Sequence, residues 1–163
     1  MKRKTIAVYA AIVVLAVVAD QLIKQWVEAS LVLHQQVDVI PFLALYRTHN
    51  TGIAFSMFSG MGDTGLIVLT LGVTIFVSWL ALRTPSGDRW ARLGFALIIA
   101  GAIGNLIDRV MLGYVVDYVL FYTAVWSFAI FNLADAFISV GAALVILQEA
   151  VNWSRERAAR KRG

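Results

Sequence analysis

Four aspartates lie in or beside apolar segments of this sequence, where a carboxylate is costly to place: Asp20, Asp108, Asp117 and Asp135. A charged side chain near the centre of a bilayer costs about 2.5–3.5 kcal/mol on insertion scales, so four at depth approach about 10 kcal/mol. That sum is comparable to the whole free energy of unfolding of many domains. We therefore expect neighbouring groups either to compensate these acids or to use them in chemistry.

Amides accompany two of these acids at helical spacing. Asn132 and Asp135 are three residues apart, so a helix presents both on one face. Asn105, Asp108 and Arg109 are related by steps of three and four, which brings an amide, a carboxylate and a guanidinium together. The small residues just before them, which permit close approach of helices, are Ala100, Gly101 and Gly104. The spacing predicts a polar pocket between packed helices.

Two carboxyl groups brought together at low dielectric have a characteristic chemistry. Both cannot ionise cheaply, so one pKa rises and the pair shares a proton. One group then acts as a base on water and the other as an acid toward a leaving amine, which is peptide-bond hydrolysis of the aspartic-protease type. The chain has no cysteine, which excludes disulfides, thiolate zinc sites and a cysteine nucleophile. His34, His49 and Ser56 show no metal-ligand or serine-triad pattern, and we expect no metal and no cofactor.

The composition indicates which elements hold these residues. Of the 163 residues, 60% are hydrophobic and 15% charged, whereas soluble domains average about 45–50% apolar and about 25% charged. We predict an all-α membrane protein, a single integral membrane domain over residues 1–163, with four transmembrane helices at about 6–27, 65–82, 93–109 and 128–148. The first run also has the length of a signal-peptide apolar region, but a retained helix fits better because no clean small-x-small site follows.

The cations predict the orientation of the helices. Eleven of the 14 Lys and Arg residues lie in three clusters, at the N-terminus, between the second and third helices and in the basic tail at 152–163. Four spans place all three clusters on one side, which the positive-inside rule makes cytoplasmic. Both termini are then cytoplasmic, and the unusual polar residues converge on the outer leaflet.

Two segments should face outward. Residues 31–63 have partly alternating apolar residues and a turn at Asn50-Thr51-Gly52, which indicates a small β-rich segment. Residues 111–127 are rich in Tyr, Phe and Trp, which suits an interfacial platform or a short amphipathic helix.

Five motifs in order resemble those of the lipoprotein signal peptidases, the bacterial signal peptidase II family. The motifs are Asp20-Gln21-Leu22-Ile23-Lys24, Asn50-Thr51-Gly52-Ile53-Ala54-Phe55-Ser56, Gly101-Ala102-Ile103-Gly104-Asn105-Leu106-Ile107-Asp108-Arg109, Val116-Asp117-Tyr118 and Phe131-Asn132-Leu133-Ala134-Asp135. The match covers residues 20–135 at the overall length and span count of the family. One motif alone is weak evidence, but five in order are specific.

The resemblance implies an aspartic endopeptidase of the bacterial inner membrane. It removes signal peptides from diacylglyceryl-modified prolipoproteins, cutting just before the lipidated cysteine. Asp117 and Asp135 match the catalytic pair of the family, and residues 31–63 resemble its outer substrate cradle. The matching substrate-binding or site-supporting residues are Asp20, Asn50, Gly52, Asn105, Arg109 and Asn132. The implied partners are lipid-modified prolipoproteins and membrane phospholipid, with no nucleic acid, and the implied state is a monomer.

Two positions depart from the pattern of the family. Ile53 stands where a small Ala is usual, which would narrow a site that contacts substrate backbone. Tyr118 stands where Phe is common. Neither change touches the two matched aspartates.

Simpler interpretations of these residues stay open from the sequence. Asn132 and Asp135 also suit an interhelical hydrogen bond. Asp20 and Lys24 form an i,i+4 pair that either neutralises a helix end or shapes the site. Arg109 also suits an ion pair with Asp108 at the interface.

Two other classes of function use the same residues. Carboxylates in membrane helices also build proton relays, so a proton-coupled transporter or channel is the main alternative. A non-enzymatic assembly factor that holds a partner helix is a weaker one. Clustering of the acids at one face disfavours a relay across the bilayer.

Overall fold

The computed structural model describes residues 3–52 and 62–161. Its helices are α1 (Arg3–Ser30), α2 (Gly62–Arg83), α3 (Arg89–Leu112) and α4 (Leu133–Arg160). All four are long and apolar enough to cross a membrane, which confirms the predicted fold class. The predicted segments 6–27, 65–82 and 93–109 lie inside α1, α2 and α3.

The fourth helix starts later than the sequence predicted. It begins at Leu133, not near Phe128, because Asn132 is its N-cap and forms a reciprocal capping box with Asp135. Phe131 instead continues extended, and its backbone exchanges hydrogen bonds of 2.8 and 3.1 Å with Val119. At the other end α4 continues to Arg160, through most of the predicted tail.

Helix α3 is the centre of the bundle and packs against each of the other three helices. Glycines permit its approach to α4. A Cβ at Gly94 would lie 2.5 Å from the carbonyl oxygen of Gly141, and one at Gly101 would collide with the carbonyl oxygen of Ala134. The prediction that Gly101 allows close helix packing is confirmed.

The outer surface of the bundle is apolar. Leu15 of α1, Ile75 of α2 and Ile146 of α4 are 69%, 68% and 69% exposed. A soluble protein would bury such residues, whereas hydrocarbon solvates them at little cost. The surface therefore agrees with four helices in lipid.

One antiparallel sheet caps the bundle, and its strand order is β1-β2-β3. The strands are β1 (Gln36–Ile40), β2 (Leu43–Asn50) and β3 (Val115–Phe121). The first two lie in the predicted β-rich segment 31–63, and the third joins α3 to α4. The C-terminal ends of α1 and α3 and the start of α4 adjoin this sheet, and we call this the sheet end of the bundle.

The aromatic segment 111–127 contains a strand, not the short amphipathic helix that was one of the two expectations for it. Gly113 ends α3 in the left-handed conformation, at φ 80°, and its N–H donates to the Arg109 carbonyl at 3.1 Å. The chain then turns into β3, which pairs with β2 and buries Val116 and Tyr118 against Val27 of α1. The β-branched and aromatic residues of this segment suit a strand once β2 offers a partner.

Candidate active site

Asp117 and Asp135 meet at the sheet end through a shared asparagine. Asn132 Nδ2 donates to Asp117 Oδ1 at 2.6 Å, and the Asn132 backbone N–H lies 3.3 Å from Asp135 Oδ2. Asp117 comes from β3 and is 1% exposed. Asp135 lies in the first turn of α4 and is half-buried. Residues 18 positions apart in the sequence are thus linked by one side chain.

The second oxygen of Asp117 is bound by β2. Asn50 Nδ2 donates to Asp117 Oδ2 at 2.9 Å, and Asn50 Oδ1 accepts from the Gly52 N–H at 2.9 Å. The latter bond closes the predicted turn at residues 50–52. Arg109 Nη2 donates to the Gly52 carbonyl at 2.6 Å. Both backbone groups of Gly52 are therefore bonded within the protein.

Asn105 bonds to the carboxyl group of Asp135. Its Nδ2 donates to Asp135 Oδ1 at 2.7 Å, while its Oδ1 accepts from Asn132 Nδ2 at 3.2 Å. Lys24 Nζ donates to the same Oδ1 at 2.9 Å. A buried amide with all these contacts has only one orientation that satisfies them.

Asp20 contacts both α1 and α4. Its Oδ2 lies 2.9 Å from Lys24 Nζ, so the expected i,i+4 ion pair is present. Its Oδ1 accepts from the Ala134 N–H at 2.9 Å, at the start of α4. Asp20 therefore pairs with a buried cation of α1 and bonds to the first turn of α4, the helix that carries Asp135.

Asp108 and Arg109 do not form the anticipated ion pair with each other. Asp108 Oδ2 instead lies 2.8 Å from Lys24 Nζ and accepts from the Val116 N–H at 3.2 Å. Arg109 is 8% exposed and reaches Gly52, rather than extending to the lipid headgroups. Adjacent positions on a helix point about 100° apart, which separates their targets.

The electrostatics of Asp117 differ from those of a solvated carboxyl. Burial, then the nearby Asp135 carboxyl, raises its pKa from 3.8 to about 7, although hydrogen bonds from Asn50 and Asn132 act in the opposite direction. Tyr118, next to it in β3, has its pKa raised to about 12, mainly by burial. Asp117 can therefore hold or release a proton near neutral pH.

Two residues have larger roles around the site than their sequence context indicates. Lys24, expected to pair with Asp20, also contacts Asn105 and Asp108. The hydroxyl of Tyr118 accepts the Leu133 N–H at 3.2 Å and caps α4. A lone lysine within an apolar run was a usable signal for the first, while nothing in the sequence indicated the second.

Other candidates lie apart from this cluster or outside the described residues. His49 stacks on Tyr114 with ring centroids 3.7 Å apart and lies 3.3 Å from Glu28 Oε1. Within residues 3–52 and 62–161, no three His, Asp or Glu residues converge as metal ligands. Ile53 and Ser56 lie outside the described residues.

Comparison with known families agrees with the sequence motifs. The family model described as Signal peptidase (SPase) II matches residues 12–151. The chain belongs to the signal peptidase II family. This confirms the resemblance, and since signal peptidases are proteases, the transporter alternative gains no support.

Similar proteins cover nearly the whole length of this signal peptidase II family member. The lipoprotein signal peptidase of Mesorhizobium japonicum is 64% identical over 148 residues, which are 91% of this chain and 88% of that protein. The lipoprotein signal peptidase of Brucella ovis is 57% identical over 157 residues, 96% of this chain and 98% of the relative.

Solved structures support the fold. One described as a bacterial membrane enzyme structure at 2.3 Å resolution has a TM-score of 0.84 and 29% identity over 92% of both chains. Another with the same description, at 1.9 Å, has a TM-score of 0.77 and 30% identity, covering 87% of this chain and 92% of that one. Together with the four apolar helices, family membership makes this a multi-pass bacterial membrane protein.

Proposed function

We propose that Asp117 and Asp135 are the catalytic pair of an aspartic endopeptidase that removes the signal peptide from lipid-modified prolipoproteins. The main support for this proposal is the hydrogen bonding of both carboxyl groups to Asn132. A buried carboxyl and a half-buried one share Asn132 as a hydrogen-bond donor. Burial and the neighbouring Asp135 carboxyl also raise the pKa of Asp117 to about 7. A pair that holds a single proton between two carboxyl groups supplies both a base and an acid.

The reaction then needs no cofactor. The ionised carboxylate takes a proton from water, and the water oxygen attacks the scissile carbonyl carbon. The protonated carboxyl gives its proton to the leaving nitrogen as the carbon–nitrogen bond breaks. Asn132 holds the two groups together, while Asn50 and Asn105 each bond to one of them. In this proposal Gly52 and Arg109 support the turn at residue 50, because the backbone groups of Gly52 are already bonded.

The cation distribution supports an orientation for the chain. Two of the clusters adjoin the α2–α3 loop and the C-terminal end of α4, away from the sheet end. The positive-inside rule makes that side cytoplasmic, so the sheet end faces the periplasm. A lipid-modified precursor would then reach the pair laterally from the outer leaflet, with the cut falling just before its lipidated cysteine.

Cleavage of a lipidated precursor by the purified protein in detergent tests the proposal. Mass spectrometry before and after incubation shows whether and where the chain is cut, with no membrane gradient present. The variants are Asp117→Asn and Asp135→Asn. Asp38→Asn is the matched control, because Asp38 is an exposed carboxylate of β1 in the same sheet. Thermal unfolding in the same detergent reports whether each variant is folded.

The proposal predicts a cut before the lipidated cysteine by the wild type and by the Asp38 variant, and none by either of the other two. Retained turnover in folded Asp117→Asn or Asp135→Asn protein refutes the assignment of the pair. A wild-type protein that binds precursor stoichiometrically without cutting it would instead indicate an assembly factor.

A further inference from the structure

Lys24 is a buried lysine whose ammonium group contacts three side chains from two helices. It lies in α1 and is 2% exposed. Its Nζ atom is 2.9 Å from Asp20 Oδ2, 2.8 Å from Asp108 Oδ2 and 2.9 Å from Asn105 Oδ1. An ammonium group has three N–H donors, so these three acceptors account for all of them.

Each of the three acceptors reaches onward to the segments that carry the aspartate pair. Asn105 donates directly to Asp135 Oδ1 at 2.7 Å. Asp20 accepts from the N–H of Ala134, the residue before Asp135. Asp108 accepts from the N–H of Val116, the residue before Asp117. One cation thus holds α4 on one side and β3 on the other.

The contact with Asn105 determines which end of that amide meets Asp135. Lys24 and Asn132 both donate to Asn105 Oδ1, so the NH₂ group of Asn105 faces the Asp135 carboxyl. Reversal of the amide breaks the hydrogen bonds that Lys24 and Asn132 donate to Oδ1. Without the ammonium group, the bond from Lys24 no longer opposes this reversal. Reversal would set its carbonyl oxygen against the carboxylate of Asp135, which repels it.

Neutralisation of the buried acids alone does not account for this arrangement. The ammonium group has two carboxylate partners, and Asp108 takes a further hydrogen bond from Gln21 Nε2 at 2.8 Å. A lysine that only balanced charge would need no contact with the amide of Asn105. The third donor is instead directed at Asn105, whose side-chain amide donates to the Asp135 carboxyl group.

We propose that Lys24 is a positioning residue of the aspartate pair: it fixes Asn105, Asp20 and Asp108 together, and through them the relative placement of Asp135 and Asp117. The inference rests on the proposed function of these two aspartates. Lys24 touches neither of them within hydrogen-bond distance, so it acts through its three partners.

Steady-state cleavage of a lipidated precursor by Lys24→Met, with kcat and KM determined separately, tests this role. Displacement of a reacting group by about 1 Å costs about 100-fold in rate, so we expect kcat to fall by about that factor with little change in KM. The matched control is Arg92→Gln, which removes another buried cation at the opposite end of α3 from Asn105 and Asp108. Its contact is the Thr84 carbonyl, so kcat per folded enzyme should not change.

The pH profile gives a readout that a purely structural role would not move. The groups acting on Asp117 are Asp135 from α4, Asn132 before α4, Asn50 from β2 and Lys24 from α1. Because the charge of Lys24 lowers the pKa of Asp117, its loss should move the basic limb of the profile to higher pH. Lys24→Arg keeps the charge but replaces three tetrahedral donors with a planar fork. It should therefore keep the limb in place while kcat stays reduced.

A second variant keeps the test decisive if Lys24→Met does not fold. Lys24→Met with Asp108→Asn removes one positive and one negative charge together, and the new amide oxygen can still accept from Val116. This double variant should unfold at a higher temperature than Lys24→Met alone and still have a reduced kcat. Wild-type kcat and an unshifted basic limb in either folded variant would overturn the proposal.

Asp117→Asn, assayed in the same series, distinguishes a failure of the proposed role of Lys24 from a failure of the proposed catalytic pair. If it is inactive while Lys24→Met is fully active, only the role of Lys24 is wrong. If it cuts the precursor, the proposed catalytic pair is wrong as well.

Discussion

Asn132 Nδ2 lies 2.6 Å from Asp117 Oδ1, and this bond joins a strand of the cap to the first residues of the fourth helix. The same asparagine is the N-cap of α4, where its Oδ1 accepts from the Asp135 N–H at 2.9 Å. Helix initiation and the meeting of the two carboxyl groups therefore depend on one residue. The stability of the site and its chemistry can be separated only by variants that remove one of these contacts.

Substitution of Asn132 by Ser should separate the capping of α4 from the contact with Asp117. Ser caps helices nearly as well as Asn, so the free energy of unfolding should change by less than about 1 kcal/mol. The shorter side chain does not span to Asp117, so we expect cleavage to fall by about 100-fold. Asn132→Ala, which loses the cap as well, should cost about 0.5–2 kcal/mol more. Equal activity of Asn132→Ser and wild type in the precursor assay would contradict this role.

The pH dependence of cleavage follows from the environment of Asp117. Burial and the Asp135 carboxyl raise its pKa to about 7. Below that pH the pair retains a proton for the leaving amine, and above it the proton is lost. We expect kcat/KM to fall about tenfold per pH unit on the basic side. A profile measured in detergent that stays flat well above neutral pH would show that this proton is not required.

Asn50→Ala should shift that basic limb in a defined direction. The hydrogen bond from Asn50 lowers the pKa of Asp117 by stabilising the charged form. Its removal raises the pKa further, so the limb moves to higher pH even if the maximal rate falls. The neighbouring Thr51→Ala is the control, because Thr51 is exposed. A shift to lower pH, or the same shift in both variants, would count against the assignment.

Gly101→Ala should weaken the packing between α3 and α4. A methyl group there collides with the Ala134 carbonyl oxygen, next to Asp135. Overpacking of this kind costs about 1–3 kcal/mol, and cleavage should fall because Asp135 moves with its helix. Gly72→Ala in α2 meets nothing within 4 Å and should be neutral or slightly stabilising. Thermal unfolding of the pair in detergent measures the difference, and equal midpoints would contradict the packing argument.

Tyr118→Phe tests the capping role of the tyrosine hydroxyl. The change leaves the Leu133 N–H without its acceptor, which lies 3.2 Å away. Loss of such a bond costs about 0.5–1.5 kcal/mol, so the unfolding midpoint should drop modestly. Because the ring remains packed against Val27 and Val116, cleavage should persist. Abolished cleavage with an unchanged midpoint would assign the hydroxyl to the chemistry instead.

Several features of the site could be predicted from local spacing. Asn132 and Asp135 are close at any packing angle, because their spacing of three lets them form a capping box at the start of α4, and the Asn50-Thr51-Gly52 turn needs only its own residues. Strand β3 was missed because its aromatic residues suit an interface equally well. Only its pairing with β2, from a distant part of the chain, favours the extended form.

Four membrane helices could be predicted from the sequence alone, because mostly apolar runs of this length match the thickness of a bilayer and are solvated well by lipid. The sequence also indicated which polar residues are costly to place in such helices. Which carboxyl groups meet could not be predicted in the same way. Asp108 and Asp135 are equally plausible partners for Asp117 by spacing, yet Lys24 binds Asp108 and Asn132 brings Asp117 to the start of α4. That choice depends on the rotation of each helix about its axis, which is set by the packing of α3 on its neighbours and is not encoded in any one segment.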